Sequence, residues 1–378
     1  MRTINISELK PGMKFGKPVY IDGVNLLVPE NVAIKKRDID RLIKWDIKTV
    51  QTDGAVCEDF EDENKKRLNK LINITFDARL YELYQASLKK LRGIYKKLRG
   101  NIRVEKLLFD EIVNLFLKIL PDNKNEFIKY IIWNTEGNID FARSSINCMI
   151  MALLIGFEMK ISDQVLVDLA LSALLHDVGM LKIPLSILQK KGDLTEKERS
   201  LIQTHSLYSF KIITKTIGYS EDIGLIVLQH HERWDGKGYP RKLKGNAILL
   251  EARIISVADA YEAMLNHRPY RKSMIGYSAT REILNDNSRR FDSDILKVFI
   301  KCMGIYPIGS IVLLNNACIG LVVNIHSHAP LRPKIKIIID KNMKKCVNEN
   351  IEVDLTKEKE LFITKAINPA ELEKLLEG

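Results

Sequence analysis

The sequence predicts a mainly α protein, a helical bundle with a small β-rich module on either side. Three observations carry that expectation. Apolar residues recur at helical spacing through most of residues 58–304, whereas the apolar runs before residue 55 and after residue 305 are short and broken by turn residues. The chain has 378 residues, 46% of them hydrophobic, enough for two or three domains with full-sized cores. Its mean hydropathy of −0.09 is ordinary for a globular protein.

Taken in order, residues 1–55 read as the β-rich N-terminal module. Pro18-Val19-Tyr20-Ile21 and Leu26-Leu27-Val28 are strand-like runs separated by the turn signal Asp22-Gly23. A short helix over residues 36–44 and the run Thr49-Val50-Gln51 complete it. Residues 56–137 are helical and heavily charged, and read as a connector or a homodimerisation surface. Residues 138–304 form the densest segment. Val165, Leu166, Leu169, Ala173 and Leu174 mark a buried helix that delivers His176 and Asp177 at its end. Thr195-Glu196-Lys197-Glu198 is a capping box, so a helix starts there and carries His205 about three turns in. An apolar helical run over 223–229 ends at His230-His231, and another over 247–265 holds Asp259. Residues 305–378 return to strand character at 311–314, 321–323 and 335–339, and a last helix is expected from Asn368 onwards.

Composition narrows the function classes. The net charge of +11 favours anionic partners only weakly, because much of it is lysine of the kind that solvates helix faces, as in residues 89–106. No interleaved aromatic motif marks a nucleic-acid module, so no nucleic acid polymer is expected as a partner. No stretch offers the ~18 uncharged apolar residues of a membrane span, and residues 146–157 read as a buried helix. Five scattered cysteines without CxxC spacing suit free thiols in a reducing compartment, hence a cytoplasmic location.

Four of the seven histidines, His176, His205, His230 and His231, fall between 176 and 259 together with Asp177 and Asp259. Imidazole and carboxylate are the usual ligands of divalent transition metals. A carboxylate can bridge two ions, and ions roughly 3.5–4 Å apart can acidify water and clamp a phosphoryl displacement. Taken singly, each residue is more often structural. Neighbouring histidines on a helix diverge by about 100°, so His230 and His231 converge only if the helix ends there.

These segments resemble a known family. HDVG at 176–179 with Ile183-Pro184, LTEKE at 194–198, His205 and HHERWDGKGYP at 230–240 are similar to successive motifs of HD-GYP domains. Leu243-Lys244-Gly245, ARIISVADAYEAM at 252–264, RPYR at 268–271 and Phe291-Asp292 continue the match in order. The resemblance covers about residues 140–304, and the flanking β-rich modules are similar to ones found beside this domain. It implies a helical HD-GYP bundle that hydrolyses cyclic di-GMP with two divalent ions, Fe(II) or Mn(II). By resemblance, His176 binds one ion and Asp177 bridges; His205, His230 and His231 hold the second, and Asp259 returns to the first. His176 and Asp177 then form the catalytic centre, while Tyr239, Arg268 and Arg271 contact the substrate. Arginine's planar fork suits phosphate oxygens, and a tyrosine ring can stack on a purine.

Two departures qualify the match. Ser144 stands where relatives often place a histidine, and Asp140 where some carry a glutamate. Serine replaces imidazole poorly and Asp140 suits a helix cap, so two ions are expected rather than three, with linear pGpG as the main product. Met180 stands where a lysine is usual, which implies reduced activity; Lys182 is the candidate partial substitute. Two other readings stay open. One is a catalytically weak or silent cyclic di-GMP receptor acting through signalling protein partners. The other is a phosphodiesterase of another cyclic dinucleotide or a nucleotide monophosphate.

Overall fold

The structure is a computed structural model that describes residues 2–9, 13–30, 32, 34, 36–54, 56–57, 76–133, 140–190, 192–266, 274–287, 289–342, 344–346, 351–367 and 371–372. The chain forms two compact units, Met1–Asn73 and Ile74–Gly378. Among its described residues the first contains six strands: β1 Arg2–Asn5, β2 Lys14–Phe15, β3 Val19–Tyr20, β4 Leu26–Val28, β5 Thr49–Thr52 and β6 Val56–Cys57. A four-stranded antiparallel sheet runs β1-β5-β3-β4, and β2 pairs with β6. Alternation places Val19, Val28 and Val50 on one side, where they pack with Phe15, Ile34 and Leu42, the last from helix Lys36–Lys44. Asp22 closes the β3–β4 turn by accepting from the backbone N–H groups of Val24 and Asn25.

The second unit is the helical bundle with its β appendage, the mainly α architecture expected from the sequence. Helices Ala78–Arg99, Leu107–Ile119 and Lys124–Trp133 lie within the same hydrophobic core as the later helices. Tyr84, Leu88, Leu91 and Tyr95 recur at three- and four-residue spacing along the first of them and are buried. Helix Phe141–Met159 turns back through left-handed Lys160 into helix Asp163–Leu175. Gly156 is the contact point: a Cβ there would come within 2.8 Å of a Leu166 methyl. The segments Phe141–Met159 and Asp163–Lys182 are long and apolar enough to cross a membrane by length and composition, but 78% and 72% of them is buried inside the protein. Their apolarity serves the core.

One helical boundary differs from expectation. The capping box forms as read, with Thr195 and Glu198 exchanging side-chain and backbone bonds. The helix it opens nevertheless stops at Gln203, and a new one, His205–Lys211, begins at the histidine. Thr204 accounts for the break: its hydroxyl donates to the Leu201 carbonyl at 2.5 Å, and its N–H also turns back to Leu201. His205 therefore heads a helix instead of sitting three turns into one. A π-helical turn, Ile212–Ile217, and helices Glu221–Gln229, Leu250–Leu265, Gly276–Asn285 and Ser293–Met303 complete the bundle.

The C-terminal appendage is a five-stranded antiparallel sheet. Its strands are β7 Ile311–Leu314, β8 Ile319–Asn324, β9 Lys334–Ile339, β10 Glu352–Asp354 and β11 Ile363–Ile367, in the order β10-β9-β8-β7-β11. Val312, Leu314, Val322, Ile335 and Ile337 form its core with Tyr306, whose ring stacks on Tyr277 at 5.0 Å. The helix expected from Asn368 lies largely outside the described residues.

Candidate metal centre

Four segments carry the candidate ligands to one place. Helix Asp163–Leu175 ends at His176, and Asp177 follows before a 3-10 turn over Val178–Lys182. His205 opens its helix, and His230 closes helix Glu221–Gln229 with His231 just beyond. Because the helix ends at Gln229, the two adjacent rings do not diverge; their centroids lie 4.0 Å apart. Asp259 sits inside helix Leu250–Leu265. The ligand atoms of Asp177, His205, His230 and His231 all lie within 4.8 Å of one another, as do those of His176, Asp177 and Asp259. Asp177 belongs to both groups. Among the described residues these are the two such groups.

Hydrogen bonding fixes how the rings present themselves. Nδ1 of His176 lies 2.7 Å from the Ala173 carbonyl, Nδ1 of His205 2.6 Å from that of Ile202, and Nδ1 of His230 2.5 Å from that of Val227. A carbonyl can only accept, so each Nδ1 carries a proton and donates it. In the neutral form of each ring Nε2 is then the nitrogen that presents a lone pair, the arrangement that suits a metal ligand. The Nε2 atoms of His205 and His230 face each other at 3.4 Å, with Asp177 Oδ1 3.2 Å from that of His205. Two ring nitrogens and a carboxylate oxygen thus converge on one point. His176 Nε2 and Asp177 Oδ1 are buried and make no hydrogen bond. Such burial is costly without a compensating cation, so the donor set fits divalent ions.

The electrostatics differ between the two groups. Burial, with the His176 and His205 rings nearby, pushes the pKa of His230 down to about 4. Burial and the rings of His230 and His205 hold His231 well below an ordinary imidazole. Both are neutral at pH 7. Burial alone would lower His176 as well, but Cys148, Asp177 and Asp259 outweigh it and hold it well above the usual value. Burial would raise Asp259, yet the neighbouring His176 ring brings it well below an ordinary carboxyl group. His176 Nε2 lies 3.5 Å from Asp177 Oδ2 and 3.6 Å from Asp259 Oδ1. A proton and a cation would compete for that space.

The loop after the histidines walls one side. Tyr239 sets its ring 4.8 Å from that of His231, and the Tyr239-Pro240 peptide is cis. Buried Glu232 pins the loop by accepting from the N–H groups of Arg241 at 2.6 Å and Leu243 at 2.9 Å. Trp234 and Asp235 donate their N–H groups to the carbonyls of Arg290 and Arg289. At Gly238 a Cβ would lie 2.4 Å from the Arg233 nitrogen, so only glycine fits this close approach.

Other expected residues are placed elsewhere. Lys182 is exposed and its Nζ donates to Asn101 Oδ1 at 2.7 Å. Asp140 caps helix Phe141–Met159 by accepting from Ala142 and Arg143, and it also accepts from Arg92 Nε at 2.9 Å. Neither Asp140 nor Ser144 belongs to the two ligand groups. Arg268 and Arg271 lie outside the described residues. Glu232 and Ser209 are site-supporting residues that the sequence reading did not single out; a lone glutamate or serine gives no spacing signal.

Comparison with known proteins agrees with this geometry. A profile described as an HD domain matches residues 135–295, and one described as a KOW domain associated with HD domain matches residues 311–375. The cyclic di-GMP phosphodiesterase PdeB of Borreliella burgdorferi is 31% identical over 354 residues, 93% of this chain and 92% of that one. The cyclic di-GMP phosphodiesterase PA4108 of Pseudomonas aeruginosa is 30% identical over 264 residues, 70% of this chain and 62% of that one. The 3'3'-cGAMP-specific phosphodiesterase 1 of Vibrio cholerae is 39% identical over 142 residues, 35% of this chain and 31% of that one. With paired His/Asp clusters, an intact GYP loop and a relative aligned along nearly its whole length, the chain belongs to the HD-GYP family of HD-domain proteins.

Proposed function

We propose that the chain is a metal-dependent phosphodiesterase that hydrolyses cyclic di-GMP, mainly to linear pGpG, and so lowers second-messenger signalling. One observation carries the reading: two ligand groups share the single carboxylate Asp177. His176, Asp177 and Asp259 would hold one divalent ion; Asp177, His205, His230 and His231 would hold the other. Mixed nitrogen and oxygen ligation suits Fe(II) or Mn(II). Such ions, when bound, supply Lewis acidity to a phosphoryl oxygen and acidify water. The protein orients the ligands through the three Nδ1–carbonyl bonds, which leave Nε2 as the ligating nitrogen of each ring. Tyr239 offers a ring face beside His231 for a guanine base. Arg268 and Arg271 are the proposed phosphate contacts.

The test is incubation of anaerobically purified protein with cyclic di-GMP and Mn(II) or Fe(II), followed by chromatography of the products. Linear dinucleotide is expected from the natural sequence. Asp177→Ala should abolish turnover and reduce bound metal; near-normal turnover in that variant would contradict the assignment. A second reading, a receptor without turnover, is favoured by Met180 at the position where a lysine is usual and by the bond that ties Lys182 to Asn101. Tight binding with no linear product would select it. Preferential consumption of another cyclic dinucleotide would keep the chemistry and change the substrate.

A further inference from the structure

One buried serine hydrogen-bonds from the helix that begins at His205 to the turn that carries His176 and Asp177. Ser209 is fully buried on helix His205–Lys211, one turn after His205. Its hydroxyl donates to the backbone carbonyl of His176 at 2.8 Å and accepts the backbone N–H of Gly179 at 2.8 Å. Both of its bonds cross to the turn that carries His176 and Asp177, spanning about thirty residues of sequence. The backbones are in close contact at this point: a Cβ on Gly179 would lie 2.0 Å from the His205 carbonyl oxygen and 2.6 Å from the Ser209 nitrogen. The carbonyl bonded by Ser209 belongs to a ligand residue and precedes the bridging Asp177.

We infer that Ser209 is a positioning residue that sets the separation of the two metal subsites, by locking the His176–Gly179 turn to the His205 helix through one hydroxyl. The inference rests on the proposed metal-dependent function and adds a residue to it. The geometry explains why the hydroxyl matters beyond packing. Helix Asp163–Leu175 ends at His176, so the His176 carbonyl has no following helical turn to bond it, and buried carbonyls need a partner. Ser209 supplies that partner, and the Gly179 N–H orients the same hydroxyl from the other side. Removing it leaves the His176 carbonyl and the Gly179 N–H without this shared partner, which loosens the hold of the turn on the His205 helix and so the placing of Asp177 relative to His205. Groups that orient metal ligands typically change metal affinity by about 10–100-fold when lost.

Ser206 provides an internal control. It is fully buried on the same helix, but its hydroxyl bonds only the Gln203 carbonyl, three residues back along its own chain. The experiment measures Mn(II) binding to full-length protein by electron paramagnetic resonance, with the melting temperature of the metal-free protein as the measure of folding. The natural sequence is expected to bind two Mn(II), with the spin-coupled signal of a close pair. Ser209→Ala should weaken Mn(II) binding by about 10–100-fold and lose the coupled signal while still folded. Ser206→Ala should lower the melting temperature but keep Mn(II) affinity and coupling. If Ser209→Ala does not fold, Ser209→Cys, which keeps a weak donor in the same space, is judged by the same criterion. Natural affinity and coupling in the folded Ser209 variant would overturn the inference, as would equal losses in Ser206→Ala. Failure of the natural sequence to bind Mn(II) at all would instead overturn the functional reading on which the inference rests.

Discussion

At the scale of single residues, backbone contact decides more than side-chain chemistry. Gly238 lets the loop fold against the backbone of Glu232 and Arg233, and a Cβ there would stand 2.5 Å from the Glu232 Cα. No flexible side chain can yield, so Gly238→Ala should cost about 1–3 kcal/mol, as overpacking does elsewhere. It should also displace Tyr239 and impair substrate use. Thermal melting together with turnover checks this, and an unchanged melt would show that the loop has room. Asp140 raises the opposite question, whether a carboxylate near the motif is a ligand or a cap. Its oxygens accept from Ala142, Arg143 and Arg92, so Asp140→Ala should lose about 0.5–2 kcal/mol of stability and leave metal content unchanged. A fall in bound metal would make it a ligand after all. The sequence suggested the cap, because aspartate before an apolar helix favours that role, but it gave no hint of Arg92, 48 positions away.

Helix ends are what gather the candidate ligands. His176 and His230 close helices, and His205 opens one. Two of these ends were legible beforehand: the apolar runs stop at the histidines, and the capping box at Thr195 was a local signal. The break at Thr204 was not legible, because it depends on the side chain of Thr204 turning back to Leu201 and nothing in the local spacing forbids a continuous helix. The 231–243 loop was recognisable by its motif, whereas the buried Glu232 that pins it depends on distant amides and was not. The same loop carries a charge pair with a defined pH response. Arg233 donates to both oxygens of Asp235, and that bond holds the Asp235 pKa down at about 2. Because the folded value lies below the unfolded one, near 3.9, the pair stabilises the fold fully above that pH. Its contribution is lost as pH falls through about 2. Asp235→Asn should therefore lower the melting temperature at pH 7 and flatten its decline between about pH 4 and pH 2. A decline as steep as that of the natural sequence would contradict the pairing.

For the whole molecule, the mainly α plan with a β-rich module at each end was readable from periodicity, because strand and helix periods differ sharply along the chain. Less readable was the packing of residues 78–133, whose helices share one core with the ligand-bearing helices. Charged outer faces gave that segment the look of a connector, while its buried stripe includes Tyr95, which donates to the Leu174 carbonyl two residues before His176. Burial of several histidines and carboxylates at the centre of such a core is unfavourable unless cations join them. Metal binding should therefore stabilise the entire unit, by about 2.7 kcal/mol when free metal is a hundredfold above its dissociation constant. The most direct measurement is the metal content of anaerobically purified protein by elemental analysis, paired with its melting temperature before and after chelation. Two divalent ions per chain and a clear fall in melting temperature on chelation are expected. A protein without stoichiometric metal, whose melting is indifferent to chelator and to added Mn(II) or Fe(II), would contradict the shared two-ion centre.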